Sequence, residues 1–95
     1  MEITIHQTEK TGFALATEDG AKAGIMTFSI PSEDYIIIEH TEVEPIFNGK
    51  GIGKKLLYKI VDMAREKNSK IQPICSYANA VFQKQTDIQD VLKQS

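Results

Sequence analysis

Between Tyr35 and Lys67 the apolar residues change their period, and that change constrains the fold more than any other feature of the chain. "YIIIEHTEV" (Tyr35–Val43) opens as an unbroken, β-branched apolar block. Such a block suits an interior strand covered on both faces. Pro45 cannot donate to a strand ladder and ends it. From about Lys50 to Lys67 the period becomes helical. Ile52, Leu56, Leu57, Ile60, Val61 and Ala64 fall on one helix face, with the lysines mostly on the other. Asn68 and Ser69 end this helix, and "KIQPIC" (Lys70–Cys75) reads as a short strand. A strand–helix–strand unit within one sheet makes its strands parallel and its crossover right-handed. A sheet with the long helix on one face is therefore expected.

The preceding segments read as an antiparallel meander. "EITIHQ" (Glu2–Gln7) alternates with period two, and "FALATE" (Phe13–Glu18) reads as a second strand. Asp19-Gly20 is a hairpin signal, followed by the partner strand "AGIMTFSI" (Ala23–Ile30), which Pro31 and Ser32 break. After the short strand come a helix over Tyr77–Gln85 and a last turn or two over "DIQDVLKQ" (Asp87–Gln94), with Asp87 as its cap. The fold class is α+β, with a mixed, mostly antiparallel sheet around a central strand–helix–strand unit. At 95 residues a single domain, 1–95, is expected.

Several function classes lose support at this point. The net charge of −2 provides no general attraction for nucleic acid or an anionic membrane. No apolar run approaches the roughly 20 residues of a membrane span. The N-terminus lacks a basic-then-apolar signal region. The single cysteine, Cys75, excludes an internal disulfide and fits a reducing, cytoplasmic location. One cysteine and two distant histidines have no usual metal-ligand spacing, so no metal is expected. The charge is uneven, however. Asn48–Lys70 carries seven basic residues against two acidic ones. That pattern suits a solvated helix face or a local anion site.

The glycine end of this segment, "NGKGIG" (Asn48–Gly53), lies between strand and helix, where backbone N–H groups are unpaired and the helix dipole is positive. Gly49, Gly51 and Gly53 let a ligand oxygen approach the backbone, and Lys50, Lys54 and Lys55 add charge. The group suits a diphosphate. A simple Asn-Gly turn, or close packing of helix on sheet, accounts for the same glycines. No Gly-Lys-Ser/Thr ending marks a P-loop, and the chain has no second strand–helix–strand unit for a dinucleotide fold.

Asn48-Gly49-Lys50-Gly51-Ile52-Gly53 resembles the acyl-CoA pyrophosphate loop of the GNAT superfamily of N-acetyltransferases. That loop runs Gln/Arg-x-x-Gly-x-Gly/Ala, and Asn48 here takes its first place. "NAVFQK" (Asn79–Lys84) is similar to the family's later Asn-containing helix. "HTEV" (His40–Val43) and "PICSY" (Pro73–Tyr77) resemble the His-Thr-x-Val and Pro-x-Cys patterns of its minimal single-domain members. The resemblance covers most of the chain beyond about Ala23. It implies that strands Tyr35–Val43 and Lys70–Cys75 splay apart and that the cofactor is acetyl-CoA, with its pantetheine arm in the gap. It also implies an acyl-CoA site at Val43, Asn48, Gly49, Lys50, Gly51, Ile52, Gly53, Lys54, Asn79 and Phe82, and an amine as the second substrate.

Cys75 and His40 are the candidate catalytic residues. A lone cysteine ending an apolar strand is commonly a small core residue. Cys75 also precedes a helix, whose N-terminus favours a thiolate, and His40 lies near the end of the neighbouring strand. A Cys–His pair within hydrogen-bond reach would be an activated nucleophile. With regular alternation His40 shares a face with Ile36 and Ile38, so an edge-of-core histidine is the plainer reading. Two mechanisms stay open. Either the amine attacks acetyl-CoA directly, with His40 or Glu42 as base and Tyr77 or Cys75 as acid, or Cys75 first takes the acetyl group.

The chain departs from the larger family members. Only Thr8 to Gly12 separate the first two strands, which leaves no room for the helices that cover the acceptor site there. Their C-terminal strands are also missing after Val81. An open acceptor side suits a protein amine as well as a small molecule. It also suits a CoA-binding or protein-interaction module without turnover.

Overall fold

The computed structural model describes residues 1–93. Five strands form one sheet in chain order: β1 (Glu2–Gln7), β2 (Thr11–Glu18), β3 (Ala21–Ser32), β4 (Tyr35–Val43) and β5 (Lys70–Pro73). The first three junctions are antiparallel. β4 and β5 run parallel, from Tyr35 opposite Lys70 to Ile38 opposite Pro73. The sheet is thus mixed and mostly antiparallel, as the period change predicts. Asp19 and Gly20, at φ 51° and 81°, make the tight turn between β2 and β3. Two successive left-handed residues match the twist of a hairpin. β3 runs on through Pro31 to Ser32 instead of ending at Ile30, with its pairing to β4 irregular there.

Helix α1 (Ile52–Lys67) makes the crossover and lies on one face of the sheet. Ile52, Leu56, Leu57, Ile60, Val61 and Ala64 are buried, the six positions that the helical period selects. Each large aliphatic among them contributes about 1.5–3 kcal/mol of burial, and this packing, more than propensity, holds the helix. The sheet surface beneath is shaped to fit. Ala14, Ala16 and Gly24 are small, and a Cβ on Gly24 would come within 3.0 Å of the Ile52 side chain. Asn68, at φ 55°, ends α1. The hydroxyl of the buried Ser69 donates to the Glu33 carbonyl at 2.9 Å, tying this helix end to the turn before β4.

The opposite face of the sheet departs from expectation. Leu15, Ile25 and Ile37 point there and are only half-buried, so β4 is not covered on both sides as its apolar block suggests. Helix α2 (Ser76–Lys84) follows β5, and a 3-10 turn over Thr86–Val91 follows α2, burying Ile88 and Val91. Asp87 does not cap that turn, contrary to its reading from the sequence. Its carboxylate accepts from the Tyr58 hydroxyl at 3.1 Å. Arg65 holds the same turn through Asp90 at 2.7 Å. Lys93 N–H donates to the Ile71 carbonyl, so the chain past the turn touches the outer edge of β5. Gln94, the last residue of "DIQDVLKQ", lies outside the described residues.

One irregularity matters for the site. In the β3–β4 ladder Thr27 pairs with His40, but the next residue, Phe28, pairs with Ile38. Glu39 is therefore an extra residue, a β-bulge. A bulge shifts the alternation of every residue beyond it.

Candidate active site

β4 and β5 separate at Ile38. The Ile38 carbonyl accepts from both Ile74 N–H at 3.0 Å and Cys75 N–H at 3.2 Å, and the ladder stops there. Beyond this point β4 continues along β3 to Val43, while the segment after β5 turns at Cys75 into α2. The result is a gap with one edge of β4 on one side and the start of α2 on the other.

The glycine stretch closes the gap at its wide end. A 3-10 turn over Pro45–Phe47 leads into it, with Asn48 N–H donating to the Pro45 carbonyl at 3.1 Å. Gly49 and Gly51 have φ of 82° and 73°, a region costly to residues with a Cβ. Gly51 is the N-cap of α1, and no side chain among the described residues caps the helix. Lys55 N–H makes the first helical bond, to the Gly51 carbonyl. The amides of Ile52, Gly53 and Lys54 consequently have no acceptor among the described residues. Unpaired amides at the positive end of a 16-residue helix form a donor set for an anion. Lys50, Lys54 and Lys55 stand exposed around it.

Gly53 has a different function from Gly49 and Gly51. A Cβ there would lie 2.6 Å from both Cζ and Oη of Tyr77. Its bareness admits the Tyr77 ring against the start of α1. A cleft of about 360 Å³ runs between β4, represented by Thr41 and Val43, and the glycine stretch, with Phe47 and Tyr77 in its walls. A larger hollow of about 680 Å³, bounded by Glu9, Lys10 and Lys67, lies at the carboxyl end of α1. The helix dipole disfavours an anion at that end.

The structure rearranges the candidate catalytic residues. Cys75 is half-buried, and its Sγ is 3.1 Å from the hydroxyl of Thr41, not hydrogen-bonded to His40. The His40 side chain is 62% exposed, and its Nε2 is 3.6 Å from the Glu42 carboxylate. The bulge at Glu39 is the cause. It turns His40 away from the face of Ile36 and Ile38 and brings Thr41 there instead. The expected Cys75–His40 pair is thus not formed. Tyr77 extends the group, because burial foremost, and then Cys75 nearby, push its phenol above the ordinary range. It remains a proton carrier at neutral pH.

Phe82 is fully buried. Ile52 is buried against the sheet and also lines the cleft. Asn79 is exposed and accepts from Gln83 at 3.4 Å, while its N–H bonds the Cys75 carbonyl. Asn48, Gly49, Gly51, Gly53 and Val43 line the cleft; Lys50 and Lys54 are exposed beside the stretch. Thr41 and Phe47 are the residues that sequence reasoning missed. Thr41 sits within "HTEV", but strict alternation puts it on the wrong face.

The family model described as GCN5-related N-acetyl-transferase matches residues 12–91. A GCN5-like protein of Staphylococcus aureus, solved by NMR, is 35% identical and superposes with a TM-score of 0.71, over 97% of this chain and 89% of its own. The ribosomal-protein-S18-alanine N-acetyltransferase of Escherichia coli shares the fold at 18% identity and a TM-score of 0.70, over 82% of this chain and 53% of its own. An aminoglycoside N-acetyltransferase solved in complex with CoA does so at 20% identity and a TM-score of 0.61, over 93% and 70%. No curated protein sequence matches the chain significantly.

Proposed function

The chain belongs to the GCN5-related N-acetyltransferase family, and from that premise we propose that it is an acetyl-CoA-dependent acetyltransferase acting on an amine. The observation that carries this reading is the set of three amides at the start of α1 with no acceptor among the described residues, beside a cleft lined by Thr41, whose hydroxyl is 3.1 Å from the Cys75 sulfur. In this reading residues 1–95 act as one minimal domain in the cytoplasm. The diphosphate of acetyl-CoA is held by the amides of Ile52, Gly53 and Lys54, with Lys50 and Lys54 balancing its charge. The edge of β4 beyond Ile38, which no strand covers among the described residues, is available to the amide groups of the pantetheine arm.

In the transfer we favour, the Cys75 sulfur attacks the acetyl carbonyl and forms a new thioester. The carbonyl's bond to the CoA sulfur breaks, and the proton that began on Cys75 ends on the departing thiol. In this reading Tyr77, whose phenol is pushed further above its ordinary range by desolvation and then by Cys75 nearby, passes that proton. An acceptor amine then attacks the acetyl group on Cys75, loses a proton and frees the thiol. His40 and Glu42 face outward, so any role of theirs is limited to the proton of an amine arriving from solvent. The acceptor is an amine on a protein or a small molecule, since no helices separate β1 from β2 to enclose it.

Two measurements test this. Titration with CoA should shift the amide resonances of Gly49 to Lys55 and leave those of β1 unmoved. Mass spectrometry after brief exposure to acetyl-CoA should place an acetyl group on the peptide holding Cys75. Full turnover by a Cys75→Ala variant would refute the covalent route and leave direct attack. CoA binding with no turnover on a broad panel of amines and lysine peptides would favour a binding module.

A further inference from the structure

We propose that Thr41 is the positioning residue of Cys75, its hydroxyl aiming the sulfur into the gap. The inference rests on the reading of Cys75 as the acyl carrier and deepens it. Three observations converge on it. The Thr41 hydroxyl is 3.1 Å from Cys75 Sγ, across the opening where β4 and β5 part. The backbone at Cys75 is separately clamped by its N–H bond to the Ile38 carbonyl. Between Ile38 and Thr41 lies the bulged Glu39, without which Thr41 would face away from Cys75. One short piece of β4 therefore fixes both ends of the cysteine, its main chain and its sulfur.

Threonine suits this task. Its branched Cβ restricts χ1, so the hydroxyl stays where it is set. A hydroxyl can also reverse its role. It accepts from the thiol S–H, and it donates to the sulfur once the proton has left. During transfer the carbon–sulfur bond to Cys75 forms as the bond to the CoA sulfur breaks, and the Thr41 hydroxyl neither gains nor loses a proton overall. Once acetylated, the sulfur is a poor acceptor. The hydroxyl is then free to bond the incoming amine, which couples acylation to acceptor entry.

The test compares wild type with Thr41→Val, which keeps the shape without the hydroxyl, and Thr41→Ser, which keeps the hydroxyl without the methyl. Two rates are read by mass spectrometry at one pH: alkylation of Cys75 by iodoacetamide, and acetylation of Cys75 by acetyl-CoA. T41V should lose about tenfold in both, the worth of one hydrogen bond that holds the sulfur in line for attack. T41S should stay within about threefold, losing only rotamer restriction. Far-ultraviolet circular dichroism and thermal melts should match in all three proteins, showing intact folds. Equal rates in T41V and wild type would overturn the proposal, as would a fall in T41S as deep as in T41V. Hydroxyl-dependent alkylation with no acetyl group on wild-type Cys75 would instead remove the carrier reading and leave the Thr41–Cys75 coupling standing.

Discussion

Gly53→Ala tests the reasoning about the glycine stretch most sharply, because two physical effects oppose each other there. Gly53 is the second residue of α1, where alanine should gain about 0.8–1 kcal/mol over glycine from helix propensity. The new methyl would, however, sit 2.6 Å from Cζ and Oη of Tyr77 and 2.7 Å from Cε2. Overpacking of this kind costs about 1–3 kcal/mol. Tyr77 is 40% exposed, so its ring can swing outward, which holds the cost to about 2 kcal/mol. The expected net effect is a loss of about 1 kcal/mol. In a Tyr77→Ala background the obstruction is gone, and Gly53→Ala should become stabilising by up to about 1 kcal/mol. Urea unfolding of the four proteins closes the cycle and should give a coupling of about 1–3 kcal/mol. The same destabilisation in both backgrounds would refute the claim that Gly53 exists to admit Tyr77. A stability unchanged by Gly53→Ala, together with lost CoA shifts, would return Gly53 to the role of ligand approach.

Gly51→Ala should cost about 1–2 kcal/mol whatever occupies position 77, because its φ of 73° is strained for any residue with a Cβ; thermal melts of both backgrounds check this. Asp90 has its pKa lowered, chiefly by the Arg65 hydrogen bond, so its contribution is present above the ordinary aspartate range and is lost as pH falls through the depressed value. The gap in Tm between wild type and Asp90→Asn should accordingly close on acidification below about pH 4. Tyr77 has its pKa raised, mainly by burial, so its contribution is complete below the ordinary tyrosine value and disappears as pH rises through the shifted one. Ultraviolet titration of phenolate should lose a late transition, above about pH 10, in Tyr77→Phe.

Much of the architecture was legible because it depends on local patterns. Asp19-Gly20 names its own turn, the period of Ile52 to Ala64 names its buried face, and Asn68 ends the helix in the left-handed conformation that asparagine tolerates. Boundaries shifted where a neighbour intervened. The helix starts at Ile52, not Lys50, because Gly51 takes the left-handed cap. β5 ends at Pro73, two residues before Cys75, because the Ile38 carbonyl is the last acceptor before the bulge.

The site was less legible, and the reason is a matter of range. The order of strand, glycine stretch, helix and cysteine follows from the chain itself, because hydrophobic period, turn chemistry and unpaired helix amides act over a few residues. By itself the sequence thus determined the sheet, its crossover helix and an anion donor set beside a cysteine. It could not reveal the extra residue at Glu39, which exists only as a mismatch between β3 and β4. That single mismatch turns His40 to solvent and gives Cys75 the Thr41 hydroxyl. Nor could it separate the three glycines, since two answer to their own φ angles and the third answers to a ring twenty-four residues away. Which side chains meet was decided by strand register and helix packing, both of which couple residues distant in the chain.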